Sequence, residues 1–373
     1  MAKTVKLHVA ETAQHAAVLP LSFVGPAPVL TCPATRLRHR LVGLLGAALL
    51  TSCATPLPQI TQPQPQQQAT LTTLVAQQDR LYRVSAPLLV NNAGLCKNHA
   101  RKLLGFTAKN QYSYSAELTE MAKFVLMLDE RLQVMRVLES SGAARAGVQR
   151  GDILQSVQNQ PLPTGPTAET EAARMLAALA GKNDTIELSV LRAGKSVSMK
   201  LALTRACAFS VDVGNASHVN AYSDGQRILL TRGLLNYLQT DAELATILAR
   251  EMAHNILQHQ KTGQMTATLA DVIDRLLPLK PDTAGFAGSA GIKTMPAKLD
   301  HDADRLALYM LARGGYDITV AVAVLQKLAR DFPQTLPNSY TALHPMTNER
   351  LAHLQATLAE VKQKQAASKA PQP

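Results

Sequence analysis

The residues best suited to chemistry lie on one predicted helix that begins near Thr240. Thr240-Asp-Ala-Glu243 is a capping-box pattern, which predicts a helix start. Glu251 and His254 lie three residues apart on this helix and therefore share one face. A glutamate can act there as a general base and a histidine as a metal ligand. The opposite face is predicted to be an apolar stripe of Leu244, Leu248, Met252 and Ile256.

Other polar residues stand where further elements are predicted to begin. Asp300 and Asp304 lie one helical turn apart at the opening of a second helix. His344 lies in a Leu-His-Pro sequence just before Arg350 and the start of a third helix. Upstream, the sequence Asn220-Ala-Tyr222 precedes a strand. Three helices and a strand must therefore position the candidate residues.

In order and spacing, these motifs resemble the HtpX and BepA-like gluzincin metallopeptidases, which are relatives of the CAAX prenyl proteases. The resemblance covers roughly residues 208 to 360. It implies an α+β fold with a mainly helical zincin-type metallopeptidase domain and a small sheet. It also implies zinc as the cofactor and hydrolysis of peptide bonds by a metal-activated water.

The resemblance assigns a role to each matching position of the metal site. Glu251 matches the catalytic general base, and His254 matches the second zinc ligand. Asp300 stands where the third ligand, normally a glutamate, is expected. Asp304 matches the aspartate that orients a ligand imidazole from behind, and Arg350 is expected to support the ligands in the same way.

Two further assignments concern the rim of the cleft. His344 matches a histidine that approaches the metal in some members and gates the site, so it is a candidate catalytic residue. Asn220, Ala221 and Tyr222 match the edge strand along which substrate is expected to lie.

The sequence departs from this pattern at the first zinc ligand, where Arg250 replaces a histidine. Arginine has no lone pair to offer and stays protonated, so it cannot coordinate zinc. One hypothesis is that His254 and Asp300 recruit another imidazole, from His301 or His344. The other is that the Arg250 guanidinium occupies the place of the metal and pairs with Asp300 or Glu251. Ligand chemistry favours the second hypothesis, which predicts a catalytically impaired pseudopeptidase.

Residues 104 to 204 are predicted to form short strands around one helix. The segment Leu132–Val137 alternates, a helix is expected over Ala168–Ala180, and Thr185–Leu203 is predicted to be a hairpin turned at Arg192–Lys195. With its glycine-punctuated run after Ser141, this segment resembles a PDZ domain. The resemblance implies that an extended peptide adds to a sheet edge. A glycine-rich carboxylate loop is not found around Leu126–Arg131, and a spacer domain without a ligand remains the alternative.

The N-terminal region predicts a processed leader. An arginine-rich stretch precedes the apolar run Leu41–Leu50, which is too short to cross a bilayer and suits a signal peptide. The ending at Cys53 resembles a bacterial lipobox, which implies lipidation of that cysteine; a short buried helix is the alternative. Ala54 follows where an aspartate would retain an inner-membrane lipoprotein. We therefore expect a periplasm-facing lipoprotein of the outer membrane.

Composition and cysteine usage fit this location. An oxidising envelope compartment favours a disulfide between Cys96 and Cys207, with two buried free thiols as the alternative. The 373-residue chain is 46% apolar and 4% aromatic, which excludes disorder by composition. Lys and Arg exceed Asp and Glu by 38 to 27, but no basic stripe is interleaved with aromatic residues, so nucleic-acid binding is not expected.

The predicted domain order is a leader over 1–52, a Gln/Pro-rich tether over 53–68 and an N-terminal helix over 69–103 that packs on the peptidase domain. A PDZ-like domain follows over 104–204, the peptidase-like domain over 205–363 and a polar tail over 364–373. We predict a zinc metalloendopeptidase of the bacterial envelope that acts in protein quality control. Its expected partners are envelope proteins or peptides, bound in part through the PDZ-like groove, and the membrane through the lipid anchor. The pseudopeptidase and a purely structural scaffold are the alternatives.

Overall fold

The structure is a computed structural model that describes residues 65–262, 265, 269–271, 273, 296–332, 346–367 and 371–373. The predicted leader, the lipidation site Cys53, most of the tether and the candidate catalytic residue His344 lie outside these residues. Within the described part, no helix combines the length and apolar character needed to cross a membrane.

Helices and sheets are both present, as the predicted α+β class requires. The helices are α1 (Pro65–Asn91), α2 (Ala116–Leu126), α3 (Gly142–Arg145), α4 (Ala168–Lys182), α5 (Arg232–Tyr237), α6 (Asp241–Leu257), α7 (His259–Thr262), α8 (Ala297–Gly314), α9 (Val320–Asp331) and α10 (Asn348–Ala367). The strands are β1 (Ala100–Leu103), β2 (Phe106–Lys109), β3 (Gln133–Val137), β4 (Ile153–Val157), β5 (Gln160–Pro161), β6 (Thr185–Arg192), β7 (Lys195–Ala202), β8 (Thr204–Cys207), β9 (Ser210–Gly214), β10 (Ala221–Ser223) and β11 (Arg227–Thr231).

Helix α6 is the centre of the helical core. Its predicted capping box forms, because the Glu243 N–H donates to the Thr240 hydroxyl at 3.2 Å and the Thr240 N–H donates to the Glu243 carboxylate at 3.0 Å. Every residue from Leu244 to Asn255 is buried. The helix therefore buries its polar face as well as its apolar stripe, since α1, α8 and α9 all pack around it.

A three-stranded sheet lies beside α6, in the order β10-β11-β9. Strands β9 and β11 are parallel, and β10 pairs antiparallel with β11 so that Tyr222 faces Leu229. Helix α1 packs on β9 and on α8. This arrangement places β10 against α6, next to the candidate site.

The second module is a sheet in the order β2-β3-β4-β6-β7, with β5 attached to β4. The β6–β7 hairpin turns at Ala193 and Gly194, both with positive φ, and pairs Arg192 with Lys195 as the sequence predicts. Strand β2 forms one edge of this sheet. The predicted helix is α4, but α2 is a further helix that the sequence pattern did not reveal.

A two-stranded neck joins the sheet module to the helical part. Strands β1 and β8 pair antiparallel, with Ala100 opposite Cys207. A disulfide links Cys96 to Cys207 at the base of this neck, across 111 residues of sequence. The cross-link therefore closes the module at the point where the chain enters and leaves it.

Candidate functional site

The candidate site lies where α6, α8 and α10 meet. Helix α6 carries Arg250, Glu251 and His254, which are exposed by only 1%, 1% and 2%. Helix α8 contributes Asp300 and Asp304, which are also buried. The structure therefore brings these five side chains together and places them away from bulk water.

The Arg250 side chain spans the gap between α6 and α8. Its Nε donates a hydrogen bond to Asp304 Oδ1 at 2.9 Å, and its Nη2 donates to Asp300 Oδ1. Its Nη1 lies 3.7 Å from Glu251 Oε1. The guanidinium thus contacts three carboxylates that belong to two helices.

A second arginine completes this cluster from α10. Arg350 Nε donates to Asp304 Oδ2 at 2.7 Å, and Arg350 Nη2 donates to Asp304 Oδ1 at 3.1 Å. Asp304 therefore accepts hydrogen bonds from Arg250 and Arg350 together. The residue expected to orient a ligand imidazole instead orients the arginine that stands in that ligand's position.

The environment keeps the Arg250 guanidinium charged. Burial acts to lower its pKa, but the carboxylates of Asp300, Asp304 and Glu251 more than offset this and raise the pKa above its ordinary value. A buried cation is tolerated only when it is paired and hydrogen-bonded, which is the case here.

Glu251 has a different environment from the two aspartates. Its Oε2 accepts a hydrogen bond from the Ser223 hydroxyl at 2.8 Å, and Gln260 in turn donates to Ser223 at 3.0 Å. Its Oε1 has no hydrogen-bond partner among the described residues. Burial raises the pKa of Glu251 to about 7, although Arg250 and Ser223 act to lower it. Burial therefore favours the neutral form of this carboxyl more than water would.

His254 lies against a second histidine, which the motif did not include as a site residue. The Nδ1 atoms of His254 and His259 are 2.9 Å apart, and their rings meet edge to face with centroids 5.0 Å apart. Burial lowers the pKa of His259 to about 4, so that imidazole is neutral at physiological pH. One of the two facing nitrogens must carry the proton that both share.

The expected substrate strand is covered. Ala221 and Tyr222 belong to β10, the outer strand of its sheet, but both are fully buried, and Asn220 is nearly so. Tyr222 belongs to an apolar cluster with Met265 and Leu269, and its hydroxyl contacts His218 Nε2 at 2.9 Å. In this state, β10 does not offer an open edge to an extended peptide.

The imidazoles that one hypothesis recruits to the metal are not seen at the cluster. His301 packs its ring on His353 of α10, with centroids 4.2 Å apart, whereas Asp300 faces Arg250. His344 lies outside the described residues. Of the two histidines proposed as recruited metal ligands, the structure therefore places His301 away from the cluster and does not describe His344.

Comparison with known proteins identifies the region that carries this cluster. Residues 185–358 match Peptidase family M48. The match begins in β6 and includes α6, α8 and the start of α10. It supports the predicted metallopeptidase kinship for this part of the chain.

Named relatives agree with the M48 match. The mitochondrial metalloendopeptidase OMA1 of Arabidopsis thaliana is 31% identical over 147 residues, covering 38% of this chain and 30% of that protein. The β-barrel assembly-enhancing proteases of Yersinia pestis and Escherichia coli are 26% and 23% identical over 155 residues, covering 37% of this chain and 32% of each relative. The chain thus spans about a third of the length of these relatives.

Two solved structures resemble the chain more weakly. The PDZ domain of HtrA3 bound to a phage-derived ligand has a TM-score of 0.22 at 19% identity and covers 29% of this chain and 88% of that one. The HtrA-type protease AlgW with a decapeptide has a TM-score of 0.21 at 23% identity, with coverages of 28% and 30%. TM-scores this low do not establish a shared fold.

The described residues do not fit the zinc ion of a metallopeptidase. The first ligand position holds Arg250, which has no lone pair, and the carboxylate of Asp300 is hydrogen-bonded to that same guanidinium. The positive charge of this guanidinium would also oppose a divalent cation placed beside it. Arg250 therefore stands at the position where the family pattern expects the first metal ligand, and it already pairs with the carboxylates around that position.

A second candidate site lies between the sheet module and the helical part. A cavity of about 1310 Å³ runs along the edge strand β2 and helix α4 and is bordered by β9. Apolar side chains line it, including Leu132, Leu154 and Leu176. The half-buried strand β2, an edge of its sheet, therefore borders a mostly apolar cavity.

A short loop before β2 borders this cavity. The glycine loop sought around Leu126–Arg131 would follow α2, but the segment that borders the cavity before β2 is Leu103–Phe106. Gly105 in this segment has a φ of +89°, which favours glycine.

Proposed function

We propose that this protein is a pseudopeptidase of the M48 type, which keeps the fold of a zinc metallopeptidase but binds peptides without hydrolysing them. The observation that carries this proposal is the Arg250 guanidinium held between Asp300 and Asp304. A tethered cation there supplies one of the two positive charges that a divalent metal would bring, but it cannot polarise a carbonyl or activate a water molecule as a metal does.

Peptide binding is assigned to the cavity beside β2 and α4. We regard the sheet module as PDZ-like, because an edge strand and a helix flank an apolar groove there. A bound segment would extend the sheet through backbone hydrogen bonds while its side chains contact α4. The Gly105 loop gives the groove a closed end at which a terminal carboxylate could be held by backbone N–H groups.

The cellular setting is proposed from three observations. The sequence ending at Cys53 resembles a lipobox, the Cys96–Cys207 disulfide suits an oxidising compartment, and two of the relatives are β-barrel assembly-enhancing proteases. We therefore propose a lipoprotein that faces the periplasm of a bacterial envelope and binds unfolded envelope proteins.

The cleft is tested by zinc binding and proteolysis in matched variants. We expect the wild type and His254→Ala to bind the same amount of zinc, and we expect Glu251→Gln to leave casein as intact as the wild type does. The double variant Arg250→His with Asp300→Glu restores the family's donor set. This double variant should bind one zinc ion more than the wild type does. Adding His254→Ala to the double variant should abolish that extra binding.

An active enzyme would give the opposite pattern. Casein cleavage by the wild type that is abolished in Glu251→Gln, together with zinc that is lost in His254→Ala, would show that the cleft recruits a metal despite Arg250. That result would show that the protein is an active metalloendopeptidase. This is the second candidate function, and the M48 match favours it.

The groove is tested with a fluorescein-labelled apolar decapeptide and its C-terminal amide, measured by fluorescence anisotropy. Leu176→Glu places a charge in the groove and should weaken binding at least about tenfold, equivalent to about 1.4 kcal/mol. Ala178→Glu is the matched control, because Ala178 is exposed on α4 and does not line the cavity. Equal binding by both variants would exclude this groove, and a preference for the free carboxylate over the amide would locate the peptide's end near Gly105.

A further inference from the structure

We infer that the protein carries a second, surface metal site at the seam between α8 and α10, built from His301, Glu349 and His353. One nitrogen from each histidine and one carboxylate oxygen all lie within 4.8 Å of one another. This group is outside the Arg250 cluster, and neither the M48 match nor the predicted zinc site accounts for it.

Two of the three ligands belong to the first turns of α10. Glu349 and His353 are four residues apart and therefore point to the same side of the helix. The His353 Nε2 and Glu349 Oε1 atoms are 3.9 Å apart. His301 of α8 completes the group from across the seam, with its ring stacked on His353 at 4.2 Å and an interplanar angle of 32°.

The two helices that hold these ligands are already fixed to one another. On the inner side, Arg350 of α10 donates to Asp304 of α8. Further along the same pair of helices, Arg305 donates to Glu360 at 2.9 Å. The metal therefore does not have to assemble the site, because the backbone positions of its ligands are set by contacts that form without it.

Small side-chain rotations bring the group to coordination geometry. Tetrahedral ligands at about 2.0 to 2.1 Å from zinc lie about 3.4 Å from one another. The present spacings exceed this by at most about 1.4 Å. Glu349 and His353 have side chains exposed by 72% and 57%, so both can turn without disturbing the core.

The donor set selects the class of metal. Two imidazole nitrogens and one carboxylate oxygen suit zinc, nickel or copper(II), whereas calcium and magnesium prefer oxygen ligands alone. The fourth position faces solvent and would hold water. Binding would join the start of α10 to α8 beside Asp300, and the folded state would be stabilised because the unfolded chain lacks this arrangement.

The test uses the full chain without a polyhistidine tag and zinc chloride as the probe. Zinc affinity is measured by competition with a chromophoric chelator, and thermal unfolding is followed with and without zinc. We expect one equivalent to bind and, at about 100-fold excess over the dissociation constant, to raise the melting temperature by about 5 °C. His301→Ala and His353→Ala should each weaken binding by more than about tenfold and abolish the thermal shift.

Two controls keep this result specific. Gln355→Ala changes an exposed residue on the same helix and should bind zinc like the wild type. His254→Ala, checked for folding by circular dichroism, removes the ligand of the M48 pattern and should also keep this zinc. Zinc-dependent NMR shifts of the His301 and His353 ring signals then report binding without any substitution.

Three outcomes would overturn the inference. They are no zinc binding at micromolar concentrations, full binding in both His301→Ala and His353→Ala, and ring signals of His301 and His353 that zinc leaves unchanged. Zinc lost only in His254→Ala would instead refute the proposed pseudopeptidase while also excluding this site, so failures of the two proposals are distinguishable.

Discussion

Replacing Arg250 with methionine removes the guanidinium but keeps an unbranched apolar side chain in place of the arginine stem. The substitution leaves Asp300 and Asp304 buried, and among the described residues it keeps the hydrogen bonds from Arg350 to Asp304. If Arg250 is the structural counterion of this cluster, the loss must appear as a large fall in the free energy of unfolding.

The magnitude follows from the burial of the pairs. Removing one partner of a buried ion pair costs about 3 to 5 kcal/mol, because the other charge is left without compensation. The Arg250 side chain is 1% exposed and contacts carboxylates on two helices, so we expect about 4 kcal/mol. With a urea slope of about 3 kcal/mol per M, the unfolding midpoint falls by more than about 1 M.

The assay is urea unfolding monitored by far-UV circular dichroism, applied as a double-mutant cycle. Asp300→Asn removes the carboxylate that loses its partner, so the double variant should be more stable than Arg250→Met alone. The coupling energy should be about 2 to 3 kcal/mol. Arg305→Met is the matched control, because the Arg305–Glu360 pair is 40% and 33% exposed and should contribute about 1 kcal/mol or less.

Two results would refute this reasoning. One is an Arg250→Met variant within about 1 kcal/mol of the wild type, which would mean that the carboxylates are neutral or solvated without the arginine. The other is a coupling energy near zero with Asp300→Asn, which would mean that the guanidinium does not depend on that carboxylate.

Three other predictions test the fold and the electrostatics. Because the pKa of Glu251 is raised to about 7 from an ordinary 4.5, its neutral form favours the folded state, and this contribution is fully present below pH 4.5 and lost as the pH rises through 7. Glu251→Gln lacks this dependence, so its stability relative to the wild type should rise by about 3 kcal/mol between pH 4 and pH 8 in urea titrations, and a pH-independent difference would exclude the shifted pKa. The double variant Cys96→Ser with Cys207→Ser should lose about 4 kcal/mol of stability, since the disulfide closes a 111-residue separation, whereas an unchanged urea midpoint would show that the cross-link is not formed. Gly142→Ala should destabilise the sheet module in thermal unfolding, because an added Cβ would lie 1.5 Å from the Ala202 carbonyl oxygen, while Gly181→Ala in α4 meets no atom within 4 Å and should be neutral or slightly stabilising; equal effects would contradict this packing.

Elements with strong local signals could be predicted from the sequence. The capping box fixes the start of α6, and the Ala193-Gly194 turn fixes the β6–β7 hairpin. Both depend on hydrogen bonds and backbone angles that a few neighbouring residues determine. Helix α2 has no comparable local signal, and its burial depends on long-range contacts in which Met121 packs with Leu71 and Val75 of α1.

The members of the candidate site could be predicted, but their surroundings could not. A spacing of three or four residues is enough to place Arg250 and His254 on one helix face. Nothing in that spacing indicates that His259 would meet His254 or that Ser223 would donate to Glu251. These contacts arise from long-range packing, which brings together residues from a following turn and from a strand.

The pairing of Arg250 was only partly anticipated. The sequence suggested Asp300 or Glu251 as its partner, whereas the closest contacts in the structure are with Asp300 and Asp304. The fork of the guanidinium explains this difference, because Nε and Nη2 lie on one edge and can reach two carboxylates that are one helical turn apart. A compact cation without this planar pair of donors lacks the geometry for both hydrogen bonds.

The charge count of the cluster links the arginine to the unusual state of Glu251. With a divalent metal and a neutral histidine at position 250, the metal and Arg350 would balance three carboxylates, those of Glu251, Asp304 and the residue at 300. With Arg250 instead, the described residues of the cluster place two cations against the same three carboxylates, which is one negative charge in excess. A buried site disfavours such an excess, and a proton on one carboxyl removes it. Asp300 and Asp304 both accept hydrogen bonds from Arg250, whereas Glu251 lies 3.7 Å from its Nη1, and burial raises the pKa of Glu251 to about 7. The arginine at position 250 and the raised pKa of Glu251 therefore have one electrostatic cause. A histidine at position 250 together with a bound metal should return Glu251 to its ionised form.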